Sequence, residues 1–429
     1  MTYKRYEKYK DSKIDEFGEI PSHWDISKVK YELKNLDSMR IPLSSEVRGN
    51  IEKIYDYYGA SGVIDKVDNY IFDEELILIG EDGANLLTRS TPLAFIARGK
   101  FWVNNHAHIL KPINNNIIYL TNQLELRDYT TLVTGSAQPK LTQENLGNLT
   151  LIKPPIEEQE IISKFLNKKT LEIDALIEEK EKLIELLKEK REAIITEVVT
   201  NGIDKNIKMK DSGIKWFGNI PFNWEIKALK LISDIELSNV DKKSIKGERN
   251  IKLCNYTDVY YNEFIDENII FMEATAKNEQ IDKFELKYGD VIITKDSESA
   301  NDIAVSSYVE KDLPGIICGY HLALIRPKTN ILGKYIYYSF KANGIKEQFY
   351  SNANGVTRFG IGKDCIKNVK FVIPSHDEQK EIVKYLDLEC IKINDLIYDA
   401  INSIEYYKKY RKSLISEVVT GKIDVRNEV

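Results

Sequence analysis

The sequence predicts an α+β fold: two α/β domains related by a pseudo-twofold axis, separated by two long helices that form an antiparallel coiled coil. Three observations predict it. The stretch "ITEVVTNGID" at Ile195–Asp204 returns almost unchanged as "ISEVVTGKID" at Ile415–Asp424. A heptad-patterned segment free of proline and glycine leads into each copy. Between the repeated ends lie two stretches that do not match each other. A single compact domain has no need to spell the same ten residues twice.

The repeat extends well beyond those ten residues. "PPIEEQEIISKFL" from Pro154 aligns without a gap on "PSHDEQKEIVKYL" from Pro374, and 20 of 51 positions through Asp204 and Asp424 are identical. That is far above chance and marks an internal duplication. A second echo pairs "KDSKIDEFGEIPSHW" at Lys10–Trp24 with "KDSGIKWFGNIPFNW" at Lys210–Trp224. Its offset is 200 rather than 220, so the difference is absorbed in the unmatched middles, residues 25–153 and 225–373. These hold 129 and 149 residues, each an ordinary domain size. The expected division is a first domain with its leading segment (1–153), a first long helix (154–204), a second domain with its leading segment (205–373), and a second long helix with a tail (374–429). Alike ends around unlike middles suggest one frame carrying two different readers. Plain duplication with drift is the blander reading.

Glu157–Val199 contains no Pro or Gly, and its apolar residues fall three and four apart, the pattern of a coiled-coil helix. The expected seam is Ile162, Leu166, Ile173, Leu176 with Ile177, Leu183 with Ile184, Leu187 and Ile194. In the second copy, Asp377–Val419, it is Ile382, Leu386, Ile393, Leu396 with Ile397, Ile404, Tyr407 and Leu414. A helix of this length spans roughly 60 Å and cannot bury its stripe alone. The other copy is the natural partner, and an approximate twofold between the halves sets the pair antiparallel.

Composition sets the remaining bounds. Of 429 residues, 42% are hydrophobic and 30% charged, which fits a globular protein with a highly charged portion. No run of about 18 apolar residues supports a membrane span. The charged N-terminus lacks the apolar core of a signal peptide, so a cytoplasmic location is expected. Cys254, Cys318, Cys365 and Cys390 match no zinc or redox spacing and read as ordinary thiols. The net charge of −6 speaks against a nucleic-acid binder until it is located. The first helical segment carries 12 acidic and 8 basic residues and the second 9 and 7, so the helices hold the excess and the middles are near neutral.

Both middles read α+β. The first has strand-like "ELILIG", "PLAFIARGKFWVN" and "AHILKP"; the second has "DVIITK", "DIAVSSYVE" and "HLALIRPK". Each then turns helical, passes through a polar glycine-containing loop ("TGSAQPKL", "NANGVTRFGI"), and closes on a strand that leads into the long helix. Such loops suit contacts to base edges and phosphates.

Chemical tools are scarce. There is no G-x-x-x-x-G-K-[ST] phosphate loop, no G-x-S-x-G, and no Asn/Asp-Pro-Pro-aromatic tetrapeptide of the kind amino-methyltransferases use. No nuclease carboxylate–lysine cluster stands out. His106 and His108 would share one strand face, but with no third ligand nearby they read as sheet or loop positions, and no metal is expected. The chain is expected to bind rather than catalyse.

The paired "GEIPSHW" and "GNIPFNW" segments, the paired "PPIEEQ" and "PSHDEQ" helix starts, the paired "EVVT" helix ends and the "GSAQPKL" loop resemble the specificity subunit of type I restriction–modification systems, over essentially the whole chain. The resemblance implies two target recognition domains, each reading one half of a split site in double-stranded DNA, with the helices fixing the gap. It implies two modification (methyltransferase) subunits docked on the repeated segments, restriction subunits joining them, and no cofactor in this chain. S-adenosylmethionine, ATP and Mg would belong to those partners. The candidates for DNA contact are Ser136, Gln138 and Lys140 with Arg89, Asn105 and His106 in the first domain. In the second they are Asn354, Thr357 and Arg358 with Lys295, Ser297 and His321. Two other readings compete. The fused restriction–methylation class would place catalytic domains before the first reader, and none is seen there. A coiled-coil scaffold carrying two protein-binding domains would have no reason to place polar loops at matching points.

Overall fold

The structure is a computed structural model that describes residues 3–135, 139–355 and 357–428. The chain divides into two compact units: residues 1–180 with 402–429, and residues 181–401. Each therefore holds a leading part of one long helix and a trailing part of the other.

In the first unit a four-stranded antiparallel sheet runs in the order Leu33–Asn35, Ala107–Pro112, Leu76–Gly80, Ala94–Ala97. "LILIG" forms its middle and is buried at every residue, as a continuous apolar run between covered faces should be. A second sheet has the order Gly62–Val67, Tyr55–Gly59, Lys100–Val103, Phe72–Asp73, with its middle pair parallel.

The second unit repeats this plan. Its larger sheet begins Ser233–Leu237, Leu322–Pro327, Val291–Thr294, Ser306–Val309, and gains Phe264–Ile265 at the edge. The other sheet is Met272–Ala276, Arg249–Cys254, Leu313–Cys318, Glu285–Leu286, again with a parallel middle pair. The two middles, unmatched in sequence, share one topology. Cys254 and Cys318 face each other across that parallel pair, and burial pushes both thiols up, so neither is a ready nucleophile.

The long helices are Ile156–Asn201 and His376–Val419. Inside each unit the two segments run in opposite directions. In the first, the Tyr119 hydroxyl donates to the Ile152 carbonyl just before one helix (3.3 Å) and to Val419 O at the end of the other (3.1 Å), while further along Asp174 meets Arg411. In the second, Tyr335 does the same with Val372 O (2.7 Å) and Val199 O (3.2 Å), while Arg191 donates to Asn394. Of the residues expected on the seam, Ile162, Leu166, Ile173, Leu187, Ile382, Leu386, Ile393, Ile404 and Leu414 are buried, and Ile194 and Tyr407 half-buried. Leu176, Leu183 and Leu396 are not on it: they are 39%, 39% and 53% exposed, and the neighbouring Ile177, Ile184 and Ile397 turn inward instead. Stepping strictly four then three from Ile173 reaches 177, 180, 184 and 187, so in each apolar pair only the second residue stays on the stripe.

The repeated ends now have a physical reason. The turn "GEIPSHW" buries Trp24, "GNIPFNW" buries Trp224, and a helix end docks against each. Gly421, at φ +71°, packs so closely that an added Cβ would lie 2.4 Å from Pro21 Cδ. Gly202, at φ +81°, approaches Trp224 with more room, 3.3 Å. Gly421→Ala is therefore expected to cost about 2–4 kcal/mol, from left-handed strain plus overlap, against about 1–2 kcal/mol for Gly202→Ala. Urea unfolding of the two variants checks that order.

The matched helix starts are explained likewise. Gln159 is fully buried; its carboxamide accepts from Asn116 N (3.0 Å) and donates to Pro154 O (2.9 Å) and Asn115 Oδ1 (3.0 Å). Gln379 accepts from Leu332 N (2.9 Å) and donates to Pro374 O (3.2 Å). Each glutamine ties the start of a long helix to the start of the shorter helix packed near it, Ile117–Leu126 or Gly333–Phe340.

Candidate nucleic-acid interface

In each unit the loops beyond the ends of the central strands gather polar side chains. The strand Val291–Thr294 is followed by Lys295, Asp296 and Ser297. Asp296 is the centre of this cluster: one oxygen accepts from Arg358 Nη2 (2.6 Å) and the other lies 2.7 Å from His321 Nδ1. Lys295 Nζ sits 4.3 Å from the centre of the Tyr320 ring, and burial holds its ammonium below the usual lysine range. Asp296–Ser297 pairs with Phe359–Gly360, and Asn354 bridges to Gly360, which fixes the polar loop over the strand end. Ser297, Thr357 and Arg358 line an open cavity of about 590 Å³ with Tyr256, Tyr260 and Tyr261. Tyr261 is 77% exposed. The second unit thus brings all six of its sequence-derived candidates to one place.

The first unit builds the same frame from different residues. Leu76–Gly80 is followed by Glu81 and Asp82. His106 Nδ1 lies 2.8 Å from Asp82, as His321 does from Asp296. Glu81 N donates to His106 O, as Lys295 N donates to His321 O, and Leu141 N donates to Glu81 O, as Ile361 N donates to Lys295 O. Lys140 Nζ reaches Glu81 (3.0 Å), and the Arg40 guanidinium bonds both Glu81 and the Asn105 carbonyl. A lysine and an arginine accompany the His–Asp pair in both units, but on different strands and loops. Ser136 and Gln138 lie outside the described residues. Arg89 is committed elsewhere: it donates to the Arg127 carbonyl (2.5 Å) and to the backbone and carboxylate of Glu125. Arg89→Ala is expected to lower stability by about 1–2 kcal/mol while leaving DNA affinity unchanged, which melting and titration together check.

His106 and His108 do not share a strand face. His106 sits in the turn before the strand Ala107–Pro112, and His108 is buried within it. Asp37 and Glu81 come close to His108 from distant parts of the sequence, a grouping near enough to hold a metal ion that the sequence spacing did not reveal. His108 Nδ1 is 2.6 Å from Asp37 and Nε2 is 2.8 Å from the Leu141 carbonyl. Both ring nitrogens thus face a hydrogen-bond acceptor. Asp37 also accepts from Ile109 N (2.7 Å) and Gln143 Nε2 (2.8 Å). This buried pair ties the polar loop of the first unit to its sheet.

Asp82, Asp296, Glu81 and Arg40 were not among the candidates. The first two had a signal: in "LIGED" and "IITKD" an aspartate follows an apolar strand, 24 and 25 residues before the histidine it meets. Arg40 and Glu81 had none, because only the fold brings them together.

The two units thus carry a duplicated sheet frame with a cluster of hydrogen-bonding side chains at the same corner of each copy. The chain matches the type I restriction modification DNA specificity domain over residues 7–186 and 221–406, and it belongs to that family. It is a type I restriction–modification specificity subunit, the non-catalytic component of such systems. Among its relatives, the type I restriction enzyme MjaVIII specificity subunit of Methanocaldococcus jannaschii is 23% identical over 98% of each chain. The putative type I restriction enzyme specificity subunit S.HindORF215P of Haemophilus influenzae is 27% identical over 90% of this chain and 94% of its own. The fold is shared with a chain from a structural study of complex assembly and conformational transition in a type I R-M system, at TM-score 0.67 and 12% identity, over 93% of this chain and 98% of that one. The HsdS subunit of Thermoanaerobacter tengcongensis superposes at TM-score 0.51 and 13% identity, over 94% and 98%. Among the described residues no helix is long and apolar enough to cross a membrane.

Proposed function

We propose that each unit reads one half of a two-part site in duplex DNA, with residues 25–153 and 225–373 as the target recognition domains. The paired long helices set the gap between half-sites. The repeated segments dock two adenine methyltransferase subunits, which bring S-adenosylmethionine, and restriction subunits bring ATP and Mg. The observation that carries this reading is the double site: one fold, the same corner, and different side chains around a common His–Asp pair. A spacer must be stiff, because one base pair of slip also turns the second half-site by roughly 34–36° around the helix. Two readers multiply selection, since each wrong base pair costs about 1–3 kcal/mol. The test is methylome sequencing after co-expression with the cognate methyltransferase. A bipartite methylated motif supports the reading; a continuous motif, or none, overturns it.

A further inference from the structure

We propose that the His106–Asp82 and His321–Asp296 pairs are the DNA-backbone clamps of the two units, and that base selection lies in the cations that differ around them. The inference rests on the DNA-reading function proposed above and assigns residues within it.

Two readers with dissimilar half-sites have little reason to share a base contact, yet both meet the same sugar-phosphate backbone. A feature kept in both is suited to positioning, and features that differ are suited to selection. The His–Asp pair is kept. It recurs across sequences that show no match, at 2.8 and 2.7 Å, between the same strand end and the same turn. The carboxylate holds the Nδ1 proton and orients the ring. Among the described residues, Nε2 makes no hydrogen bond in either unit, and the side chains remain 47% and 32% exposed. Each ring therefore presents Nε2 outward from a fixed mount, where a ring carrying both protons can donate to a phosphate oxygen.

The surrounding cations are not kept. The lysine comes from the polar loop in the first unit (Lys140, on Glu81) and from the strand end in the second (Lys295, over Tyr320). In the second unit an arginine of the polar loop joins it (Arg358), whereas in the first Arg40 is only 14% exposed and holds Glu81 in place, so the two corners present different cations. Lysine and arginine are the usual readers of guanine edges, and moving them across the corner changes which base pair they reach.

The test uses the full chain assembled with its methyltransferase. Duplex affinity is titrated over a salt series at about pH 5.5, within the range where histidine side chains take up a second proton, and the methylated motif is sequenced. His106→Gln and His321→Gln are each expected to weaken binding about 5- to 20-fold, to reduce the log–log salt slope by about 0.9, and to leave both halves of the motif unchanged. His106→Lys and His321→Lys should restore the slope, which a merely structural role would not allow. Unchanged melting of each variant separates lost contact from lost fold. Glutamine variants that match wild type in affinity and slope overturn the proposal while leaving the DNA-reading function intact. So does a changed base in one half of the motif, which would make that histidine a base reader. A wild-type complex that methylates no bipartite motif overturns both.

Discussion

Replacing Asp37 with alanine is expected to destabilise the first unit by about 3–5 kcal/mol, since three buried groups lose their shared partner at about 1–3 kcal/mol each. The carboxylate is almost completely buried and receives His108 Nδ1, Ile109 N and Gln143 Nε2. Its loss leaves the buried His108 ring, the Gln143 amide and the backbone N–H of a central strand without their acceptor. Burial by itself would raise the Asp37 carboxyl; the hydrogen bond and charge of His108, with the Ile109 N–H, outweigh it, and the net direction is down. The sign follows from that direction. A lowered folded value means the pair contributes fully above the unfolded aspartate value of about 3.9, and the contribution is lost as pH falls from there through the folded value. Below about pH 4 the wild type should therefore lose its advantage over Asp37→Ala. Hydrogen exchange in Ala107–Pro112 across that range measures the effect where it arises.

The second large effect is expected at the buried glutamines. Gln159→Ala removes three hydrogen bonds at once and leaves the Asn116 N–H and the Pro154 carbonyl without their partner. Each buried unpaired group costs about 1–3 kcal/mol, so the variant should lose roughly 2–4 kcal/mol after partial rescue by water. Gln379→Ala removes the bonds to Leu332 N and Pro374 O and also a longer one to Asn330 O (3.4 Å), so it should behave alike. Gln159→Glu keeps the acceptor for Asn116 N but replaces the donor with a buried charge, and should be at least as damaging. Chemical denaturation of the four single variants, including Gln379→Glu, checks whether the two copies carry equal weight.

The helices and their partnership were legible because the physics is periodic: Ile162, Leu166, Ile173, Ile382, Leu386 and Leu414 repeat at heptad spacing over a run without a helix breaker. The choice between adjacent apolar residues was not. Leu176 and Ile177 are equally apolar, and only the accumulated phase of the stripe selects one. The common topology of the two middles was legible only as a similar order of strand, helix and loop, since parallel pairing of Tyr55–Gly59 with Lys100–Val103 joins segments more than forty residues apart. The recognition corner was half visible. His106 and His321 stood out as rare polar residues beside apolar strands, whereas Glu81 and Arg40, 41 positions apart, gain meaning only when the fold brings them together.

Independent reading of DNA by the two units is the core of the proposed function. Its most direct measurement is the methylated motif before and after residues 25–153 are exchanged for the corresponding segment of another specificity subunit, with the methyltransferase unchanged. One half of the motif should change and the other half be retained. A motif altered in both halves, or in neither, would contradict it.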